Sequence, residues 1–532
     1  MTTPTPLTDA ARPVPGPTPP ATVRRFLRHA HERPDQVAVE EADGTTLTYA
    51  ALRSAARARA RELAAEGVRP GFRVAVERGY GTGYVVSLLA TWLLDAVAVP
   101  LDPASPAERR RYQVRRADCR AAVTGAHADG VVREAVARNT AAAAEAEAAA
   151  GPAGAASLGA EPVGTEPAAY VLFTSGSTGL PKGVEIGHAG LLGMLDHFSG
   201  LAELGPGGRM LAHSSVVFDM SVPEMLMPLT SGGTLVVAPE RCARNPEFFA
   251  RWLRERPACV AFATPSQLRL LLPFLAGARV FTHLFSGGEA LSAALATELD
   301  AVTGTLWNAY GPTETTVCAL CARLEPPHRD PLPIGEPVPG LRARVLDADR
   351  RPVPDGTVGE LCLSGVAVAR GYVGSPELTA RSFTTEPDGT RTYHTGDLVR
   401  VGPDGRFTFH GRADDQVKIR GHRVELGEIE TVAERVPGVA QAVAVLSDVL
   451  RGRPELHLAV VADPREAAGP EGARALESAL RERLHRELPV AMRPGRLLFF
   501  PGLPRNRAGK TSRPDVRRLV DEHLRPGPPG PA

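Results

Sequence analysis

The chain has 532 residues, 43% apolar and 23% charged, with a formal charge of +1. That length supplies core for several domains, and the balance is ordinary for a globular protein. Near-neutrality excludes a partner held by bulk charge, so neither a nucleic-acid nor a membrane-surface role is expected. No uncharged apolar run reaches the roughly 18 residues that span a bilayer, and residues 1–20 lack an apolar signal core, which points to the cytoplasm.

Residues 1–20 are Pro/Thr-rich and read as a disordered tail. Helical periodicity follows over 22–33, then a strand over 36–41 and a turn and amphipathic helix over 45–67. A strand at 73–77, a buried helix at 84–96 and a strand from 97 continue the alternation, which predicts an α/β fold with parallel or mixed sheet. Residues 137–167 are low-complexity and read as a linker, with Ala and Glu favouring helix at its start. Alternation resumes at 168 and runs to about 411. Beyond a hinge at 411–423, a small α+β unit is expected over 412–525: a helix at 424–436, strands at 440–449 and 455–463, a helix at 475–488 and a strand at 496–500. Residues 526–532 read as a tail. The main unit spans 21–411.

The six cysteines form no framework. Cys318 and Cys321 have CxxC spacing, but no second ligand pair follows, so they read as small packed residues.

The most informative segment is YVLFTSGSTGLPKGVEIGH (170–188). An apolar strand runs into Thr174, Ser175, Gly176, Ser177, Thr178 and Gly179, with Lys182 close behind. Glycines let backbone N–H groups approach an anion, hydroxyls add donors, and lysine adds positive charge, which is the chemistry of a triphosphate cradle. The spacing is not that of the GxxxxGK[ST] loop.

TSGSTGLPKG closely resembles the phosphate loop of the ANL superfamily of adenylate-forming enzymes. LTYAAL (47–52), LLDAVAVPLDP (93–103), FDMS (218–221), NAYGPTE (308–314), GELCLSGVAVARGY (359–372), YHTGDL (393–398), GRADDQVKIRGHRVELGEIE (411–430) and NRAGK (506–510) resemble the family's other motifs, in its order. The likeness covers about residues 24–520. It implies a large adenylate-forming domain with a small mobile C-terminal lid, and ATP with Mg²⁺ as cofactors.

The resemblance also implies roles. Glu314 would contribute to magnesium and Thr313 to the α-phosphate, with Asn308, Ala309, Tyr310 and Gly311 around the adenine. Asp397 would accept from the ribose hydroxyls, and Arg412 would lie near ribose or phosphate. Lys510 matches the family's catalytic lysine, although the family's usual NGK is AGK here. Asp414 matches the hinge about which the lid rotates after adenylation. That rotation would bring Lys418 and Gly421 to a thiol channel.

In amino-acid-activating members, the residue matching Asp219 pairs with the substrate α-ammonium; the same aspartate would also suit helix capping. A side-chain pocket aligned to Met220, Pro223, Phe262, Phe285, Gly287, Ala309, Val317 and Cys318 carries no charge, which predicts a small neutral amino acid such as alanine or glycine. Pro223 departs from the family, where that position is commonly aromatic. No LGGxS carrier motif or HHxxxDG motif occurs. The expectation is a free-standing nonribosomal peptide synthetase-type adenylation enzyme, loading the phosphopantetheine of a separate carrier protein in secondary metabolism. The alternatives are an acyl- or aryl-CoA ligase using free coenzyme A, a D-alanine–carrier protein ligase, activation of a β-amino acid, and a non-catalytic homologue.

Overall fold

The computed structural model describes residues 19–126, 128–154, 167–176, 180–257, 259–413, 416–419, 421–450, 454–463, 465, 469–505 and 511–525. Two large sheets dominate. One is six-stranded, with Arg73–Glu77, Val97–Leu101, Cys119–Thr124 and Ala168–Thr174 running parallel. Those strands are apolar on both faces, as parallel strands covered by helices must be. Lys182–Gly187 and Gly371–Tyr372 extend this sheet antiparallel.

The second sheet has 14 strands. Its centre is the parallel set Arg209–Ala212, Cys259–Ala263, Phe281–Gly287 and Thr303–Tyr310. It turns antiparallel at Leu320–Leu324 and continues to Arg391–Val401 and Phe407–Arg412. The main core joins residues of both sheets, with Val76, Ala98 and Tyr170 from the first and Met210, Phe262 and Leu361 from the second.

Helix Tyr49–Ala65 illustrates how sequence dictates this packing. Thr48 caps it by accepting from the Ala51 N–H at 3.2 Å, and Leu52, Ala56, Ala60 and Leu63 form its buried stripe. Helix Val131–Gly154 runs well into the stretch expected to be a linker. Val132, Ala135 and Val136 pack its first turns against Val114 and Cys119, and the Asn139 amide donates to the carbonyls of Val114 and Cys119. From that anchor the Ala/Glu run keeps the helix going on propensity.

After Phe407–Arg412 come the hairpin Gln416–Ile419/His422–Glu425 and a three-stranded sheet, Val439–Ser447, Glu455–Ala462 and Arg496–Phe499. Alternate residues supply its two faces. Ala442, Ala444, Leu458 and Leu497 pack with helices Leu426–Glu434 and Gly469–Glu487. Val443, Val445, Ala459 and Leu498 pack with Arg513–Leu524, a helix the sequence reading passes over. The cysteines are free thiols, Cys318 buried and Cys321 half-buried. Among the described residues, no helix is long and apolar enough to cross a membrane.

Candidate active site

A cavity of about 340 Å³ opens between the main unit and the C-terminal unit. Thr174, Ser175, Asp219, Gly311, Thr313, Asp397 and Arg412 line it from one side, and Gln416, Lys418, Gly421, Arg423 and Pro489 to Met492 from the other. Motifs nearly 250 residues apart in sequence therefore share one space.

Asp219 sits in the turn before helix Ser221–Ser231, whose N-terminus has no side-chain cap. Its carboxylate instead accepts from the Thr313 hydroxyl at 2.6 Å. Burial pushes this carboxyl above the usual aspartate range, and the Thr313 hydrogen bond only partly offsets it. A buried carboxylate of this kind gains from a cationic partner.

In the core cluster that holds Met220, and outside the cavity lining, strands Cys259–Ala263, Phe281–Gly287 and Thr303–Tyr310 lay down a wall of rings. Phe262 and Phe285 stack with centroids 4.7 Å apart, Phe285 and Trp307 stack at 5.7 Å, and Phe198 meets Phe285 edge-on at 5.3 Å. At Gly287 an added Cβ would come within 2.7 Å of the Ala309 carbonyl oxygen and 3.1 Å of Met220 Cε. Space here is narrow. Thr316 and Val317 adopt φ of 60° and 71°, an uncommon conformation for β-branched residues, and so turn Val317 and Cys318 back against the end of strand Thr303–Tyr310. Pro223 lies in the first turn of helix Ser221–Ser231, fully packed. Asn308 is tied to the sheet through its amide, which donates to the Pro333 carbonyl at 2.8 Å.

Asp397 is buried and faces Arg412 across paired strands, with the guanidinium donating to one oxygen at 2.5 Å. The Tyr310 hydroxyl donates to the other oxygen.

Glu314 is fully buried and is the hub of the polar side. Lys182 Nζ lies 3.4 Å from one of its oxygens, the Tyr372 hydroxyl donates to that same oxygen at 2.7 Å, and Arg423 donates to the other at 2.7 Å. Burial alone would raise this carboxyl; Arg423 and Lys182 reverse that and hold it at about 2. Burial and the neighbouring Arg423 lower Lys182.

Arg423 belongs to the C-terminal hairpin, whose other contacts repeat the pattern. The Ser175 hydroxyl donates to the Arg423 carbonyl at 2.7 Å, and the Gly176 N–H to Glu428 at 3.4 Å. Arg109 bridges Glu428 at 2.6 Å, and the Gly421 N–H donates to Glu289 at 2.6 Å. Lys418, an exposed residue of its strand, lines the cavity with Nζ 6.0 Å from the Tyr310 ring centre. Sequence reading did not single out Arg423, Glu428, Glu289 or Tyr372. All except Glu289 lie inside quoted motifs, but only their buried partners reveal what they do.

Ser177, Thr178, Gly179, Asp414 and Lys510 lie outside the described residues. The described neighbours of Lys510 are Arg505 and Thr511. They bridge each other, and Thr511 accepts from Gln441 at 2.5 Å. Neither lines the cavity.

This fold and cleft define an adenylate-forming enzyme of the ANL type, and the chain belongs to the AMP-binding enzyme family, which matches residues 26–373; the family's C-terminal domain matches 428–510. Among relatives, it is 39% identical over 490 residues to phosphinothricin tripeptide synthetase PhsC of Streptomyces viridochromogenes, covering 91% of this chain and 44% of that protein. It is 38% identical over 499 residues to novobiocin biosynthesis protein H of Streptomyces niveus, covering 91% and 80% respectively. A solved nonribosomal peptide synthetase protein containing adenylation and PCP domains, PA1221, superimposes with a TM-score of 0.75 at 27% identity, over 94% of this chain and 84% of that one.

Proposed function

We propose that this chain activates a small neutral amino acid with ATP as its aminoacyl-adenylate and passes it to the phosphopantetheine thiol of a carrier protein. The observation that carries the reading is that Asp219 opens onto the same cavity as Asp397 and Arg412. An amino acid ammonium at Asp219 and a ribose diol at Asp397 would place carboxylate and α-phosphate together between them, with Thr313 lining the same cavity. The narrow space at Gly287 and Met220 supports a small side chain. The adenylation and PCP domains named for PA1221 support a carrier acceptor.

Adenylation joins two anions, so positioning and charge neutralisation do the work. Lys182 and the backbone at Ser175 and Gly176 would hold the leaving phosphates, and Lys510 would bridge carboxylate and α-phosphate during attack. The hard, ionised carboxylate of Glu314 among anion-binding cations fits magnesium carried by ATP, once Arg423 leaves it. Bound magnesium would neutralise charge on the phosphate oxygens. With Arg423, Ser175, Gly176 and Glu428 joined, the C-terminal unit covers the phosphate cradle, an arrangement suited to the transfer step after pyrophosphate has left. The swing between the two arrangements would turn on Asp414.

ATP–pyrophosphate exchange with Mg²⁺, across amino acids, β-amino acids and simple acids, tests this. Exchange with a small neutral amino acid is expected, with kcat/KM falling on the order of 10²–10³-fold in Asp219→Ala because a buried ammonium loses its partner. Exchange with simple acids alone would move the protein to the CoA-ligase class.

A further inference from the structure

Away from the cleft, three ligand-type side chains meet on the sheet that carries Asp397. Cys362 and His394 are directly opposed on the antiparallel strands Gly359–Gly365 and Arg391–Val401. Glu360, two residues before Cys362, shares its face of the strand. Cys362 Sγ lies 3.3 Å from His394 Nδ1, and one ligand atom from each of the three residues lies within 4.8 Å of the others. Sulfur and nitrogen bound to one tetrahedral zinc stand about 3.5 Å apart, given bonds of about 2.3 and 2.0 Å.

The surroundings match what such ligands need. A metal-bound imidazole has its other nitrogen oriented by a hydrogen-bond partner, and ligating carboxylates are themselves hydrogen-bonded. His394 Nε2 lies 3.2 Å from the Thr384 hydroxyl, and Glu360 accepts from the Gly396 N–H at 2.9 Å. Cys362 is fully buried, whereas Glu360 and His394 are half-buried, leaving a path for an ion and a water from one side. Arg344, the neighbour of Cys362 on strand Leu341–Leu346, is paired with Glu386. None of the three candidate ligands lines the cavity with Asp219 and Asp397.

We propose that Glu360, Cys362 and His394 form a zinc site, completed by one water, that clamps strand Gly359–Gly365 to Arg391–Val401 just ahead of Asp397. Binding releases the Cys362 thiol proton to solvent, and His394 stays neutral, donating through Nε2–H to Thr384. Thiolate, imidazole and carboxylate together suit zinc over magnesium or calcium, which take oxygen ligands. The site is structural and separate from the magnesium expected at Glu314.

The test uses the full chain, stripped by chelator and titrated with Zn²⁺ or Co²⁺ in the absence of ATP. The expected result is one equivalent bound, with a thiolate-to-cobalt charge-transfer band in the near ultraviolet and a raised melting temperature with zinc. The band should vanish in Cys362→Ser and persist in Cys242→Ser. Thr384→Val, which removes only the outer partner of His394, should weaken binding about tenfold to a hundredfold. Should Cys362→Ser not fold, His394→Gln carries the same comparison, and the wild-type cobalt spectrum needs no variant. No thiolate band, or zinc binding unchanged in these variants, would overturn the site and leave Cys362 and His394 as a thiol–imidazole hydrogen bond.

Discussion

The two halves of the cleft are built on opposite plans. The Asp219 side is made by one sheet: rings from neighbouring parallel strands stack on one another, and the carboxylate is held by Thr313 at a strand end. The Glu314 side is assembled from four distant segments and held by charge, with Lys182 and Tyr372 from the main unit and Arg423 from the hairpin. Close-packed rings resist change, while an ion-pair hub can trade one cation for another. Under the proposed function, selection of the amino acid would belong to the rigid half and the sequence of steps to the exchangeable one.

Variants that separate the halves test this contrast, beginning with the largest effect. Lys510→Ala should lower pyrophosphate exchange on the order of 10²–10³-fold by removing charge stabilisation in the transition state. Amino acid binding measured by calorimetry should be unchanged, and a parallel loss of binding would break the division. Arg423→Ala should slow carrier loading about tenfold to a hundredfold, the worth of a charged hydrogen bond, and leave exchange intact. Equal losses in both steps would make Arg423 part of the adenylation machinery. Met220→Ala should relax selection, improving kcat/KM for an amino acid one methylene larger by about tenfold or more. No relaxation would place the side-chain pocket elsewhere.

The smallest effect is a pH slope. Glu314 titrates at about 2 in the folded chain, against about 4.3 when unfolded. A depressed carboxyl contributes stability that is present above its unfolded value and lost as pH falls through the folded one. Acid unfolding should therefore show a stability loss between about pH 4.3 and 2 that Glu314→Gln removes. A slope unchanged in that variant would mean that other carboxylates carry it.

Much of this was legible in the residues. Strand Arg73–Glu77 lies where the apolar run lies, and helix Ala21–Glu32 follows its periodicity. Thr174, Ser175, Asp219, Thr313, Asp397 and Arg412, read from separate motifs, line one cavity. Helix Val131–Gly154 was only half legible, because composition shows propensity but not the Asn139 anchor. Helix Arg513–Leu524 escaped because it follows a basic stretch of sequence and its buried stripe is only Val516, Val520 and Leu524.

The sequence by itself determined the alternating architecture and the chemical inventory of the cleft, because periodicity and short motifs are local properties of the chain. It also placed Asp219 before an apolar helix, where pairing with a substrate amine was favoured and capping stayed open. Only the tertiary structure decided between local uses of that kind. Asp219 meets Thr313 across 94 positions, Arg423 meets Glu314 across 109, and Cys362 meets His394 across 32. The partner of a buried charge is chosen by which strands the fold brings together, and neither composition nor spacing carries that information.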